Sequence, residues 1–252
     1  MMDVTQDAFL CGKLQLWQPR HGYRAATDPV LLAAACFARA GQSVLDLGCG
    51  VGAASLCLGR RVPDLALFGL ELQPEYADLA RRNATENAIP LQVITGDLTD
   101  MPAVLRRDFD HVIANPPYYR AGGTPSPNVG RATALQVGDT SLGIWVQVAT
   151  RRLAPGGWLT LICGADGLPQ VLGALGDKMG AASVLPLAPR SGKPALRILL
   201  RARKTARGPF QLLAPFVLHD GPAHTGDRES YTEQANAVLR DGGDLSAAFS
   251  QV

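Results

Sequence analysis

The sequence predicts an α/β protein built on a mostly parallel sheet with helices on both faces. Three observations carry that expectation. From Ser43 onward, short apolar runs alternate with helical patterns, and parallel strands need crossovers of about ten residues or more. Polar or glycine-rich residues stand directly after successive strands: Gly48 to Gly52, Glu71, Asp97 and Asn115 to Tyr118. The 252 residues are 47% hydrophobic and only 18% charged, enough for a large core and unlike a disordered chain.

The elements follow in order. Ala8 to Gln18 alternates loosely and suits short extended segments. Thr27 or Asp28 can cap a helix with Pro29 in its first turn, filled by Val30 to Ala38 and ended by Gly41. Ser43 to Leu47 reads as a buried strand, Ala53 to Arg61 as a helix and Leu65 to Leu70 as a second strand. Pro74 to Asn87 is a helix with Tyr76, Leu79 and Ala80 on one face. Leu91 to Thr95 and Asp110 to Ala114 are the third and fourth strands. Leu142, Trp145, Ala149 and Leu153 mark the stripe of a long helix, and Gly156-Gly157 turns into a fifth strand, Trp158 to Cys163. A short helix over Leu168 to Met179, a strand near Val184 to Leu187 and a last strand over Leu196 to Leu200 complete the pattern. The tail from Asp220 is acidic on balance and reads as a turn and short helix.

Several classes fall away. Lys plus Arg is 24 and Asp plus Glu is 22, so the net charge of +2 does not by itself point to nucleic acid. The longest apolar run, Pro29 to Ala38, is too short to span a bilayer, and Asp3 and Asp7 argue against a secretory leader. Five cysteines without a CxxC pair argue against a disulfide framework or a zinc site and fit a reducing cytoplasm. Four scattered histidines form no metal-binding cluster, so no metal is expected. The sequence does not fix an oligomeric state, and a monomer satisfies it.

In a parallel sheet the carboxyl ends of the strands share one edge, where ligands bind. The run Asp46-Leu47-Gly48-Cys49-Gly50-Val51-Gly52 is a strand end followed by a loop whose glycines, Gly48, Gly50 and Gly52, let backbone approach a ligand. Glu71 lies 19 residues past Gly52, where a carboxylate can accept both hydroxyls of a ribose. Asp46 can order the loop or face the ligand. Asp97 can accept from an adenine amino group beneath Leu98, or cap the next helix. Geometry alone leaves NAD and S-adenosylmethionine as rival ligands.

Asn115-Pro116-Pro117-Tyr118 is the most informative tetrapeptide. Two prolines stiffen the backbone and remove two amide donors, leaving the Asn115 side-chain oxygen and the Pro116 carbonyl as fixed acceptors. Such a set suits a substrate that presents an NH2 group, with Tyr118 able to stack on a planar ring. An amide or exocyclic amine nitrogen is a poor nucleophile, because its lone pair is delocalised. Two acceptors can hold it pyramidal and aim the lone pair at a sulfonium methyl, so orientation and electrostatics suffice.

Asp46 to Gly52, Glu71, Asp97 and Asn115 to Tyr118 together resemble the signatures of class I S-adenosylmethionine-dependent methyltransferases that act on amino nitrogens. Tyr23-Arg24-Ala25-Ala26-Thr27-Asp28-Pro29-Val30-Leu31-Leu32 is similar to the leader of the bacterial tRNA adenine-N6 methyltransferases that modify A37 of a valine tRNA. Tyr119 and the stretch near Tyr231-Thr232 are similar too. The resemblance runs from about Phe9 to Leu239. It implies a Rossmann-like, seven-stranded sheet whose last strand is antiparallel. It further implies S-adenosylmethionine as cofactor, Glu71 on the ribose, Asp97 on the adenine, and Asn115 with Tyr118 on the target base. Asp28 joins the cofactor set. On this view residues 1–252 form one methyltransferase domain, with an N-terminal extension and helix (1–40), a catalytic core (41–205) and a C-terminal appendage (206–252). Methylation of a protein glutamine, or of adenine in another RNA or DNA, uses the same Asn115 chemistry and stays an alternative.

Charge is locally uneven. No acidic residue lies between Asp177 and Asp220, a window that holds Lys178, Arg190, Lys193, Arg197, Arg201, Arg203, Lys204 and Arg207. Arg190, Lys193, Arg201 and Arg203 are expected as a phosphate footprint for tRNA, joined by Tyr118, Tyr119 and Arg120 beside the catalytic turn. The glycine- and proline-rich segment from Arg120 to Arg131 is expected either to close over a flipped base or to serve as a linker.

Overall fold

A computed structural model describes residues 2–117, 140–221 and 230–250. The chain starts with an antiparallel hairpin, β1 (Val4–Phe9) and β2 (Leu14–Pro19). Leu14 and Leu16 are fully buried. Its docking partner is α3 (Pro74–Glu86). Asn83 accepts from Trp17 N at 2.7 Å, and Asn87, one turn later, accepts from Gln15 N at 2.9 Å. Both amides return a bond to the carbonyl of the same residue, so the outer edge of β2 is paired as if by a strand.

The main sheet contains β3 (Ser43–Leu47), β4 (Ala66–Glu71), β5 (Leu91–Thr95), β6 (Phe109–Ala114), β7 (Leu153–Gly164), β8 (Met179–Arg190) and β9 (Arg197–Lys204). The order is β8-β9-β7-β6-β3-β4-β5. All of these pairs are parallel except those of β9, which runs antiparallel to both β7 and β8. The seven strands and the antiparallel last strand are those expected. The described sheet is wider, however, because β10 (Gln211–Leu212) and β11 (Phe216–His219) add to the outer edge of β8 and make nine strands. These segments are two and four residues long, too short to show a period in sequence.

Alternate strand residues face opposite layers. Val44, Ile113, Ile162 and Leu199 join the core beneath α1 (Thr27–Ala35), α2 (Ala53–Arg61) and the hairpin. Their neighbours Leu45, Val112, Leu161 and Leu200 join a second core beneath α4 (Leu142–Arg152) and α5 (Leu168–Leu175). A sheet covered on both faces explains why these strands read as unbroken apolar runs. The tail is more structured than a turn and helix. After β11, Thr232 caps α6 (Glu233–Leu239) by accepting from Ala235 N at 3.1 Å, and α7 (Ser246–Phe249) follows.

Helix α1 also differs from its expected form. It begins at Thr27 with Ala26 as N-cap and no side-chain cap, and it ends at Ala35, before the expected Ala38. Arg61 closes it instead, donating to the carbonyls of Ala33 and Cys36 at 2.7 Å each. Among the described residues, no helix is long and apolar enough to cross a membrane.

Candidate active site

The site grows from the carboxyl ends of β3, β4, β5 and β6, which lie side by side. After β3, Gly48, Gly50 and Gly52 all take left-handed φ, at 65, 56 and 83°. Gly48 is also required for space. A Cβ there would stand 2.5 Å from the Trp145 ring of α4. The loop is pinned from the next strand: Cys49 N donates to Leu70 O at 3.0 Å, and Gly50 N donates to a Glu71 carboxylate oxygen at 2.9 Å. The other Glu71 oxygen accepts from Gln73 N at 2.9 Å. Burial raises the Glu71 pKa above the usual carboxylate range, while these amides pull it down.

Asp46 is 2% exposed, at the end of β3, and accepts from Ser55 Oγ of α2 at 2.8 Å. Burial pushes its pKa up to about 7, against the Ser55 hydrogen bonds. Asn115 follows β6 and donates from Nδ2 to the Tyr23 hydroxyl at 3.1 Å. Between them lies a small cleft, open to solvent, bounded by Tyr23, Ala25, Pro29, Asp46, Gly48, Ala53 and Asn115 among others. Among the described residues, no lysine or arginine lines it. A sulfonium and an ammonium suit the buried Asp46 carboxylate, which favours S-adenosylmethionine of the two ligands left open in the sequence.

Residues 27–173 match the methyltransferase small domain family. The chain belongs to that family. It is 30% identical over 86% of its length to the tRNA1(Val) (adenine(37)-N6)-methyltransferase of Mannheimia succiniciproducens, also covering 86% of that relative. The enzyme of the same name from Shewanella amazonensis is 28% identical over 87% of this chain and 91% of its own. Among solved structures, a protein described as a predicted O-methyltransferase from Agrobacterium tumefaciens aligns with a TM-score of 0.69 and 25% identity, over 86% of this chain and 97% of that one. The chain is thus a class I, S-adenosylmethionine-dependent methyltransferase.

The other expected site residues distribute as follows. Asp97 is exposed after β5 and accepts from Thr99 N and Oγ1 at 2.7 and 2.8 Å, closing a turn, with Leu98 half-buried beside it. Asp28 does not line the cleft; its carboxylate pairs with Arg197 at the start of β9. Tyr118, Tyr119, Arg120 and the segment to Arg131 lie outside the described residues.

The basic window requires a larger correction, because it is not one surface. Arg201 is 7% exposed. It lies over the rings of Phe37, Trp158 and Phe249 at 3.9, 4.3 and 5.4 Å, and burial lowers its pKa to about 10. Arg190 is also buried and donates to the carbonyls of Asp220 and Gly221, fastening the tail to β8. Lys193 is exposed in the β8–β9 turn, at the same sheet edge as Asn115, since Arg197 pairs with Gly164 at the end of β7. Arg203 is exposed but pairs with Trp158 near the opposite edge and donates to Gly156 O at 2.9 Å. Six residue steps along the strand, roughly 20 Å, take the chain from Arg197 to Arg203.

Two site residues carried no assigned role in the sequence. Trp145 read as one of a helix stripe, and its contact with Gly48 is tertiary. Tyr23 was quoted only within the leader segment. A lone tyrosine between polar residues has no period to reveal it, and only the fold brings it to Asn115.

Proposed function

We propose that the enzyme transfers a methyl group from S-adenosylmethionine to the exocyclic N6 of an adenine in tRNA, at position 37 of a valine tRNA. One observation carries this reading. Asn115, Pro116 and Pro117 follow β6 directly beside a cleft that holds the buried Asp46 carboxylate. The names of the relatives and the leader similarity point to the same substrate class.

The bound cofactor supplies an electrophilic methyl on a positively charged sulfur. Asp46 faces its amino-acid end, where positive charge favours the ionised carboxylate. Glu71 would hold the ribose, its carboxylate fixed by the backbone amides of Gly50 and Gln73 and able to accept from a hydroxyl. Asp97 accepts from the adenine amino group through the oxygen that Thr99 does not use, with Leu98 against the ring. At the reacting end, Asn115 Oδ1 and the Pro116 carbonyl accept the two N6 protons and turn the nitrogen lone pair towards the methyl. On transfer the N–CH3 bond would form as the S–CH3 bond breaks, with S-adenosylhomocysteine as the leaving group; these two acceptors would stabilise the positive charge on nitrogen, and one N6 proton would pass to solvent. Tyr118 stacks on the target base, as the family resemblance implies. Lys193, on the catalytic edge, meets phosphate. The cysteines, four of them buried and none paired, suit the reducing cytoplasm in which we place the enzyme.

The test compares an unmodified valine tRNA with the same transcript carrying guanine at position 37. Methyl incorporation into the first alone is expected. Equal incorporation into both, or none into either, overturns the assignment of this position.

A further inference from the structure

The Asn115 amide presents a problem that the mechanism above leaves open. Its oxygen and its NH2 group have nearly the same shape, and only the oxygen can accept from a substrate amino group. Turned over, the amide would set donor against donor at the point where the reaction needs an acceptor.

Tyr23 stands where this can be controlled. Its hydroxyl receives the Asn115 Nδ2 donor at 3.1 Å, and its ring lies over the glycine loop, 3.9 Å from where a Cβ on Gly50 would be. The backbone of Tyr23 is fixed by one buried side chain on α3: Tyr23 N donates to Tyr76 Oη at 3.1 Å, and Tyr76 Oη donates to Tyr23 O at 3.3 Å. Two residues on, Gln18 of β2 accepts from Ala25 N at 2.7 Å. The hairpin docked through Asn83 and Asn87 thus delivers Tyr23 to the cleft on a rigid path.

A hydroxyl can donate or accept, so position alone does not choose the amide's orientation. The observed contact does: with Nδ2 donating to it, the hydroxyl accepts through a lone pair and turns its own proton away from Asn115, which leaves Oδ1 facing away from Tyr23.

We propose that Tyr23 is a positioning residue for methyl transfer: its hydroxyl locks the Asn115 amide with Nδ2 inward, so that Oδ1 is the atom presented to the substrate amino group. The inference rests on Asn115 as the acceptor for the target nitrogen. It adds a residue on the N-terminal segment to that machinery.

The experiment is Tyr23→Phe in the full chain, which keeps the ring and removes the oxygen. The expected result is a loss of kcat on the order of tenfold to a hundredfold, with KM and Kd for S-adenosylmethionine changed by less than about threefold. Combining it with Asn115→Ala tests the route of action: on that background Tyr23→Phe should cost nothing further, because the amide it orients is gone. If Asn115→Ala collapses turnover while Tyr23→Phe leaves kcat at the wild-type value, the inference fails and the reading of Asn115 stands. The inference also fails if Tyr23→Phe raises the cofactor Kd at unchanged kcat, which marks a packing role. If Asn115→Ala itself turns over normally, the reading beneath both is wrong. Should the double variant fall below detection, the kcat-against-Kd split of Tyr23→Phe decides alone.

Discussion

Replacing Gly48 by alanine should damage the cofactor loop in a way that can be apportioned. Two separate costs arise at this position. The backbone sits at φ 65°, where a Cβ costs roughly 1–2 kcal/mol. The new Cβ would also lie 2.5 Å from Trp145 Cη2 and 3.0 Å from Cζ3. Trp145 is 8% exposed and packed among Val146, Ala149 and Leu161, so its ring has little room to withdraw. Overpacking of that kind costs about 1–3 kcal/mol. The total is about 2–5 kcal/mol, divided between global stability and displacement of the loop. If half falls on the loop, S-adenosylmethionine affinity drops by about fivefold to sixtyfold, at 1.4 kcal/mol per decade. Calorimetric titration with the cofactor and thermal unfolding of the same sample read the two parts. Adding Trp145→Leu to Gly48→Ala should recover the steric share and leave the backbone share. A Gly48→Ala variant that binds cofactor as the wild type does, with unchanged Tm, would refute the reasoning.

Two further predictions concern charge. Burial raises the Asp46 pKa from 3.8 to about 7, so its contribution to stability is full below about pH 4 and is lost as pH rises through about 7. A cationic ligand favours the ionised form, so cofactor affinity should rise with pH up to about 7 and then level off. Asp46→Asn should flatten both profiles, and an affinity profile identical to wild type would remove Asp46 from the cofactor's environment. For RNA, Lys193→Glu should weaken tRNA binding and lower its salt slope by about one or more, whereas Arg203→Glu, on the opposite sheet edge, should leave the slope near wild type. Filter binding across a salt series checks this, and the reverse ranking would place the RNA on the other edge.

The sheet was legible because both of its faces are buried. Largely buried runs such as Ser43–Leu47 and Phe109–Ala114 carry that state directly, and glycine or polar residues that announce a ligand edge follow their ends. Strand ends that depend on a partner were less clear. β8 extends from Met179 to Arg190 because β9 pairs with it along most of that length, and only Val184 to Leu187 reads as strand locally. β10 and β11 exist because an edge of β8 is open to them. The cleft carboxylates could be picked out by position, since Asp46 and Glu71 sit at strand ends, but the pKa of Asp46 depends on burial that no local pattern shows. Arg201 illustrates the opposite failure. Its sequence neighbourhood reads as a basic surface, yet alternation along β9 turns it inward between three aromatic rings, all of them more than 40 residues away in the chain. Charge counted along a strand does not report the face on which each charge lies.

The central claim is methyl transfer to an adenine amino group of tRNA. Its most direct test is to incubate the enzyme with labelled S-adenosylmethionine and unmodified tRNA, digest the product and identify the labelled nucleoside. Label is expected in N6-methyladenosine, mapping to position 37 of one valine tRNA. Cofactor binding by intact protein with no label in any tRNA nucleoside would contradict it and turn attention to a protein glutamine or another nucleic acid.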